Sequence, residues 1–294
     1  MGSTQFDEGY FEFAGHQLHY VEAGDGETVL FLHGFPSFWL SLNHQMRHLA
    51  RDFHVIAIDG LGVGKSSAPN SVDAYTLEKL SAHINALLDE KGVSQVHIVG
   101  HDWGAALALG IAQRHPGRVQ TVTAMSGPPQ TVILELISQG PTEADRFAYV
   151  ELLKRANPPL LTVLGATNRV YDSAYAPLVS TGAISRSEGE VFRVALKSPK
   201  RLNAHINWYR ANIPSPDDIV ASSYWPHQDA RIEAPVLFIW GENDPIISDS
   251  AINMISQLSD DVTLLSFPDS GHWPHMERRD DVNEAIMGFI DVAR

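Results

Sequence analysis

The chain has 294 residues, 44% of them hydrophobic and 19% charged, the balance of a soluble globular enzyme with ample material for a core. Its 35 acidic residues against 21 Lys and Arg leave a formal net charge of -14, scattered rather than massed in a tail; no basic stripe is present, which argues against nucleic acid and acidic membrane surfaces as partners. The absence of cysteine excludes disulfides, thiolate nucleophiles, iron–sulfur clusters and Cys-ligated zinc, and cytoplasmic residence is the expectation that fits it.

The first residues, Met1–Phe13, show neither a basic n-region nor a long apolar h-region, so no secretory signal is expected. Met1-Gly2 opens a myristoylation pattern, but Phe6 stands where Ser or Thr is required. No apolar run approaches the roughly 18 residues of a membrane span. Phe11–Phe13 and Gln17–Val21, joined across Gly15, predict a hairpin. Short apolar runs bounded by turn residues then recur at Thr28–Leu32, Val55–Ile58, Val96–Val99, Val119–Met125, Val236–Trp240 and Thr263–Ser266. Such runs suit parallel strands buried on both faces. Helical stretches lie between them, at Leu77–Lys91 and Ala105–His115, and the alternation predicts an α/β fold around a mostly parallel sheet. The rhythm breaks between Pro128 and Pro235, where paired prolines (Pro128-Pro129, Pro158-Pro159) and helical patterns replace strands. We expect a helical cap over 128–234, inserted between two parts of one core domain, 1–127 and 235–294. No internal repeat or low-complexity tract is present.

Chemistry concentrates where strands end. Val96–Val99 runs into Gly100-His101-Asp102-Trp103-Gly104 and then into a helix, the layout of a nucleophile elbow, G-x-S-x-G, with Asp in place of Ser. The glycines let strand and helix pass closely, and the turn thrusts residue 102 above the sheet at a helix N-terminus, where N–H donors and the helix dipole suit an anion. A carboxylate is a poor acyl-transfer nucleophile, but it displaces a leaving group at saturated carbon and forms an ester that water then hydrolyses. His33-Gly34-Phe35-Pro36 follows the Thr28–Leu32 run; the backbone N–H groups of Phe35 and Trp103 are the expected oxyanion donors. Asp244, in Trp240-Gly241-Glu242-Asn243-Asp244-Pro245, and His272, in Ser270-Gly271-His272-Trp273, follow the last two apolar runs. Nucleophile, acid and histidine in that order suit His272 as base and Asp244 as the carboxylate that orients it, with Glu242 as rival for the acid.

Two further patterns mislead. Gly64-Lys65-Ser66 looks like the end of a phosphate-binding loop, but Asp59 stands where its first Gly belongs and Pro69 interrupts the helix that should follow. His44 and His48 have zincin spacing, but Gln45 replaces the general base and no third ligand is evident.

HGFP, GHDWG, WGENDP and SGHW together resemble the motifs of the α/β-hydrolase-fold epoxide hydrolases, in that family's order and over nearly the whole chain. GHDWG is shared with the related haloalkane dehalogenases. The resemblance implies an α/β-hydrolase fold and epoxide hydrolysis through Asp102, His272 and Asp244, on a small-molecule epoxide and without metal or organic cofactor. Oligomeric state is left open. It also implies a pair of cap tyrosines. Asn207-Trp208-Tyr209-Arg210-Ala211-Asn212 is similar to the family's second-tyrosine motif. A phenol there could donate to the epoxide oxygen, which stays attached after ring opening. Tyr149, 47 residues beyond Asp102, is the expected first tyrosine, with Tyr171 and Tyr175 as rivals. Met125-Ser126-Gly127-Pro128 lacks the acid that fluoroacetate-type dehalogenases carry there, and Phe35 replaces the halide-binding Asn of haloalkane dehalogenases. Asp59–Ser66 departs from the family's D-x-R-G-x-G-x-S loop.

Overall fold

A computed structural model describes residues 5–293; Met1-Gly2, and with them the lipidation pattern considered above, lie outside the described residues. The sheet has eight strands: β1 (Asp7–Phe13), β2 (His16–Ala23), β3 (Thr28–Leu32), β4 (His54–Ile58), β5 (Val96–His101), β6 (Val119–Met125), β7 (Val236–Gly241) and β8 (Val262–Phe267). Their spatial order is β1-β2-β4-β3-β5-β6-β7-β8. The hairpin β1–β2 and its pairing with β4 are antiparallel; β4, β3, β5, β6, β7 and β8 run parallel.

The apolar alternation explains why the sheet lies between two layers. Leu30, Leu32, Ile56, Ile58, Ile98, Val122 and Phe238 face one side and pack with the helices Leu77–Glu90 and Trp103–Arg114. Val29, Phe31, Val55, Ala57, Val99, Leu237 and Ile239 face the other, under the helices Asn43–Leu49 and Arg279–Ala293. Both faces are therefore dry, as a parallel sheet requires. Side chains of successive strand residues point to opposite faces, so each strand needs apolar residues at consecutive positions.

Between β6 and β7 the regular elements are helices and short helical turns, from Gln130–Ser138 to the 14-residue helix Pro199–Asn212. Leu161, Tyr175, Phe192, Leu202 and Ile206 of this segment form a third apolar cluster, which also takes in Trp273 and Met276 from the end of the chain. Trp208 anchors the long helix: its indole N–H donates to the Leu61 carbonyl at 2.9 Å. Among the described residues no helix is long and apolar enough to cross a membrane.

Candidate active site

The ends of β3, β5, β6, β7 and β8 converge, and the crossing between β5 and its helix is tight. Asp102 has φ 54° and ψ -121°, a conformation that costs a non-glycine residue about 1–3 kcal/mol. Glycines surround it for a steric reason. A Cβ on Gly104 would stand 2.0 Å from the Leu32 carbonyl oxygen, and one on Gly34 would stand 2.3 Å from Asp102 Oδ1. The strained turn lifts the carboxylate off the sheet to the amino end of Trp103–Arg114.

His272 faces it. Its Nδ1 lies 2.8 Å from Asp244 Oδ2, and its Nε2 lies 3.5 Å from Asp102 Oδ2. Asp244 is a fully buried carboxylate whose other oxygen accepts from Ile246 N–H at 3.0 Å. Glu242, the rival acid, is exposed and accepts from Ser266 Oγ at 2.8 Å instead. Burial pulls the His272 imidazole down. The Asp244 charge and the hydrogen bonds of both carboxylates outweigh that and raise it to about 10. Raised so far, His272 carries its proton at neutral pH.

Asp102 Oδ1 points the other way and accepts the Phe35 N–H at 2.7 Å. Trp103 opens the helix, where main-chain N–H groups lack intrahelical acceptors. Phe35 N–H therefore holds one oxygen of the carboxylate and the histidine faces the other.

Tyr209 comes down from the helix Pro199–Asn212 and is 3% exposed. Its ring meets Phe35 and Trp103 edge-on, with centroids 5.3 and 5.1 Å away. Tyr149, from the helix Ala148–Lys154, faces it at 6.0 Å. Burial, above all, raises both phenols above their ordinary range, with added repulsion from Asp102, so both remain protonated donors. The rivals lie elsewhere: Tyr175 stacks on Phe192 and reaches the Pro36 carbonyl, and Tyr171 lies under the Arg193 guanidinium. Asp102, Tyr149, Tyr209 and His272 line one cleft of about 480 Å³, closed by apolar side chains that include Phe35, Leu153, Ile246 and Trp273.

Several supporting residues have no assignment from sequence. His101 Nε2 donates to the His272 carbonyl at 2.8 Å, tying the elbow to the histidine loop. Glu277 holds that loop from below, accepting from Gly271 N–H at 2.6 Å and Ser270 Oγ at 2.8 Å. The available signal for His101 was a histidine inside a wholly buried strand; Glu277 gave none. The two misleading patterns also resolve. Residues 59–71 form a loop organised by buried Asp59, which accepts from Trp39 N–H, Lys65 N–H and His19. His44 pairs with Glu188 at 2.7 Å, and no metal-binding cluster occurs among the described residues.

A family model for the alpha/beta hydrolase fold matches residues 27–279, and the chain belongs to that family. Within it the chain is one of the epoxide hydrolases. It is 30% identical to Epoxide hydrolase 3 of Mus musculus over 282 residues, covering 94% of this chain and 74% of that one. It is 28% identical to the mouse Epoxide hydrolase 4 over 285 residues, covering 94% and 77%. A solved Bacillus megaterium epoxide hydrolase in complex with an inhibitor superposes with a TM-score of 0.86 at 25% identity, over 96% of this chain and 100% of that one.

Proposed function

We propose that this enzyme adds water to an epoxide, giving a vicinal diol, through an ester on Asp102. The observation that carries the reading is the placement of two protonated phenols, Tyr149 and Tyr209, in one cleft with the Asp102 carboxylate. A carboxylate attacks saturated carbon, and the phenols meet the oxygen that leaves it. Residues 128–234 serve as the cap, on a core of 1–127 and 235–294.

In the first step Asp102 Oδ2 bonds to a ring carbon as the carbon–oxygen bond breaks, and the new alkoxide takes a proton from a tyrosine. Oδ1 stays on the Phe35 N–H as the ester carbonyl oxygen. Ester formation removes the Asp102 charge, one of the causes that hold His272 protonated. The His272 proton passes to the tyrosinate left by ring opening, which restores that phenol, and His272 becomes a base beside the ester. It takes a proton from water, and the hydroxide attacks the Asp102 carbonyl carbon. The oxyanion grows on Oδ1 between Phe35 N–H and Trp103 N–H. Collapse expels the diol oxygen, which takes the proton from His272. The second proton of the water leaves as Asp102 returns to carboxylate, and it restores the His272 imidazolium.

The test is His272→Gln with a terminal epoxide such as styrene oxide. An alkyl ester should accumulate on the Asp102 peptide, seen as a whole-substrate mass adduct. The wild type in heavy-oxygen water should label the Asp102 carboxylate over repeated turnovers. Label confined to the diol, with no adduct in the variant, would overturn the covalent route. Halide release from haloalkanes without diol from epoxides would overturn the substrate assignment.

A further inference from the structure

The space around Asp102 is unequal on its two sides. Asp102, Tyr149, Tyr209 and Ile246 also border a second hollow of about 20 Å³, lying between the nucleophile and the β6 end. A cavity of roughly 10–15 Å³ accommodates one water-sized group. The hollow therefore takes a single CH2-sized group and no substituent beyond it. Its far wall is Ile133, Phe147 and Ile213, 7%, 4% and 3% exposed, all part of the main apolar core. Close-packed walls of this kind do not yield to an added methyl without strain. Ser126, at the rim, has φ 49° and a buried hydroxyl with no protein partner, so the hollow keeps one polar spot against which a long apolar chain gains little.

An epoxide oxygen held by Tyr149 and Tyr209, with a ring carbon on Asp102, sends its two carbons toward these two spaces. From this, and resting on the epoxide reading above, we infer that the enzyme takes terminal epoxides. The unsubstituted CH2 enters the small hollow, and one large apolar substituent lies in the 480 Å³ cleft along Leu153, Val170 and Trp273. Ile133 and Phe147 are the residues that refuse a substituent on the second carbon. The bonds made and broken are those of the reaction already described; only the fit of the second carbon is new.

Matched pairs of epoxides test this: styrene oxide against trans-β-methylstyrene oxide, and 1,2-epoxyoctane against trans-2,3-epoxyoctane. In the wild type, kcat/KM for the methyl-bearing member should fall by about 10–200-fold, the discrimination that one methylene commands in a tight apolar pocket. Phe147→Ala and, separately, Ile133→Ala should raise the ratio of methyl-bearing to terminal substrate by about tenfold or more. Phe147→Leu is the milder variant if truncation prevents folding, and thermal melting identifies which proteins are folded. Equal turnover of both members by the wild type would overturn the inference while leaving the epoxide reading intact. An unchanged ratio in folded Phe147 and Ile133 variants would do the same. No diol from either member of either pair would instead overturn the epoxide reading itself.

Discussion

At the scale of single residues, the site separates two demands that one carboxylate cannot meet alone. In the proposed reaction Asp102 must be a free anion to attack and a neutral ester to be hydrolysed. The strained backbone presents it, Phe35 N–H holds one oxygen, and His272 answers the charge on the other. Asp102→Ala should therefore fold and form no diol; product above background from that variant would remove the nucleophile assignment. In the proposed reaction the tyrosines divide one task. Tyr149→Phe and Tyr209→Phe should each slow single-turnover ester formation. The double variant should be slower by about 10²–10⁴-fold, the range for a positioned proton donor. Tyr171→Phe is the control, since its ring lies under Arg193 away from the cleft. Equal rates for all four proteins would show that neither phenol meets the epoxide oxygen.

At the scale of elements, three histidines from two chain segments behave oppositely because of what surrounds them. His272 lies between two carboxylates and is raised to about 10. His275, fully buried with both ring nitrogens unpartnered, is lowered by burial first and by His272 and His44 next, to about 3. His101, 4.3 Å from the His275 ring, is lowered for the same main reason. The unfolded chain protonates its histidines near the ordinary 6.5. Below that pH the folded state binds fewer protons at His275 and loses stability as pH falls toward 3. His272 has the reverse sign: its stabilisation is complete below 6.5 and disappears as pH rises through about 10. His275→Gln should therefore shrink the drop in Tm between pH 7 and pH 4.5, and His272→Gln should flatten the drop between pH 7 and pH 10. Parallel pH–Tm curves for wild type and either variant would show that the group in question does not titrate differently on folding. This histidine group was illegible beforehand because its contacts span about 170 residues of sequence: His101 meets His272 and His275 only when β5 and the last loop are side by side.

At the scale of the molecule, what could be read in advance follows from the range of the interactions. Strand runs are local, so β3, Thr28–Leu32, and β6, Val119–Met125, coincide with their apolar runs, and the remaining strands differ from theirs by a few residues. GHDWG and SGHW are likewise local, because glycine sterics and strand ends fix them. The choice among Tyr149, Tyr171 and Tyr175 is not local: it depends on how the helices after β6 pack over the sheet, where short helices leave weak periodicity. The Asp59–Ser66 loop also has a packing role at this scale. Gly60 lies flat against the Trp208 ring, and a Cβ there would stand 2.5 Å from it. Trp208 in turn donates to Leu61 O and precedes Tyr209, so this contact seats the tyrosine helix on the sheet. Gly60→Ala should push Trp208 outward, destabilise the protein by about 1–3 kcal/mol as overpacking does, and slow ester formation on Asp102 by displacing Tyr209. Gly117→Ala, which would meet nothing within 4 Å, is the matched control and should change neither quantity. Thermal melting and single-turnover adduct formation read the two effects separately. A Gly60→Ala protein that melts like the wild type and alkylates at the same rate would mean that the helix is seated by other contacts and that Trp208 has room to move.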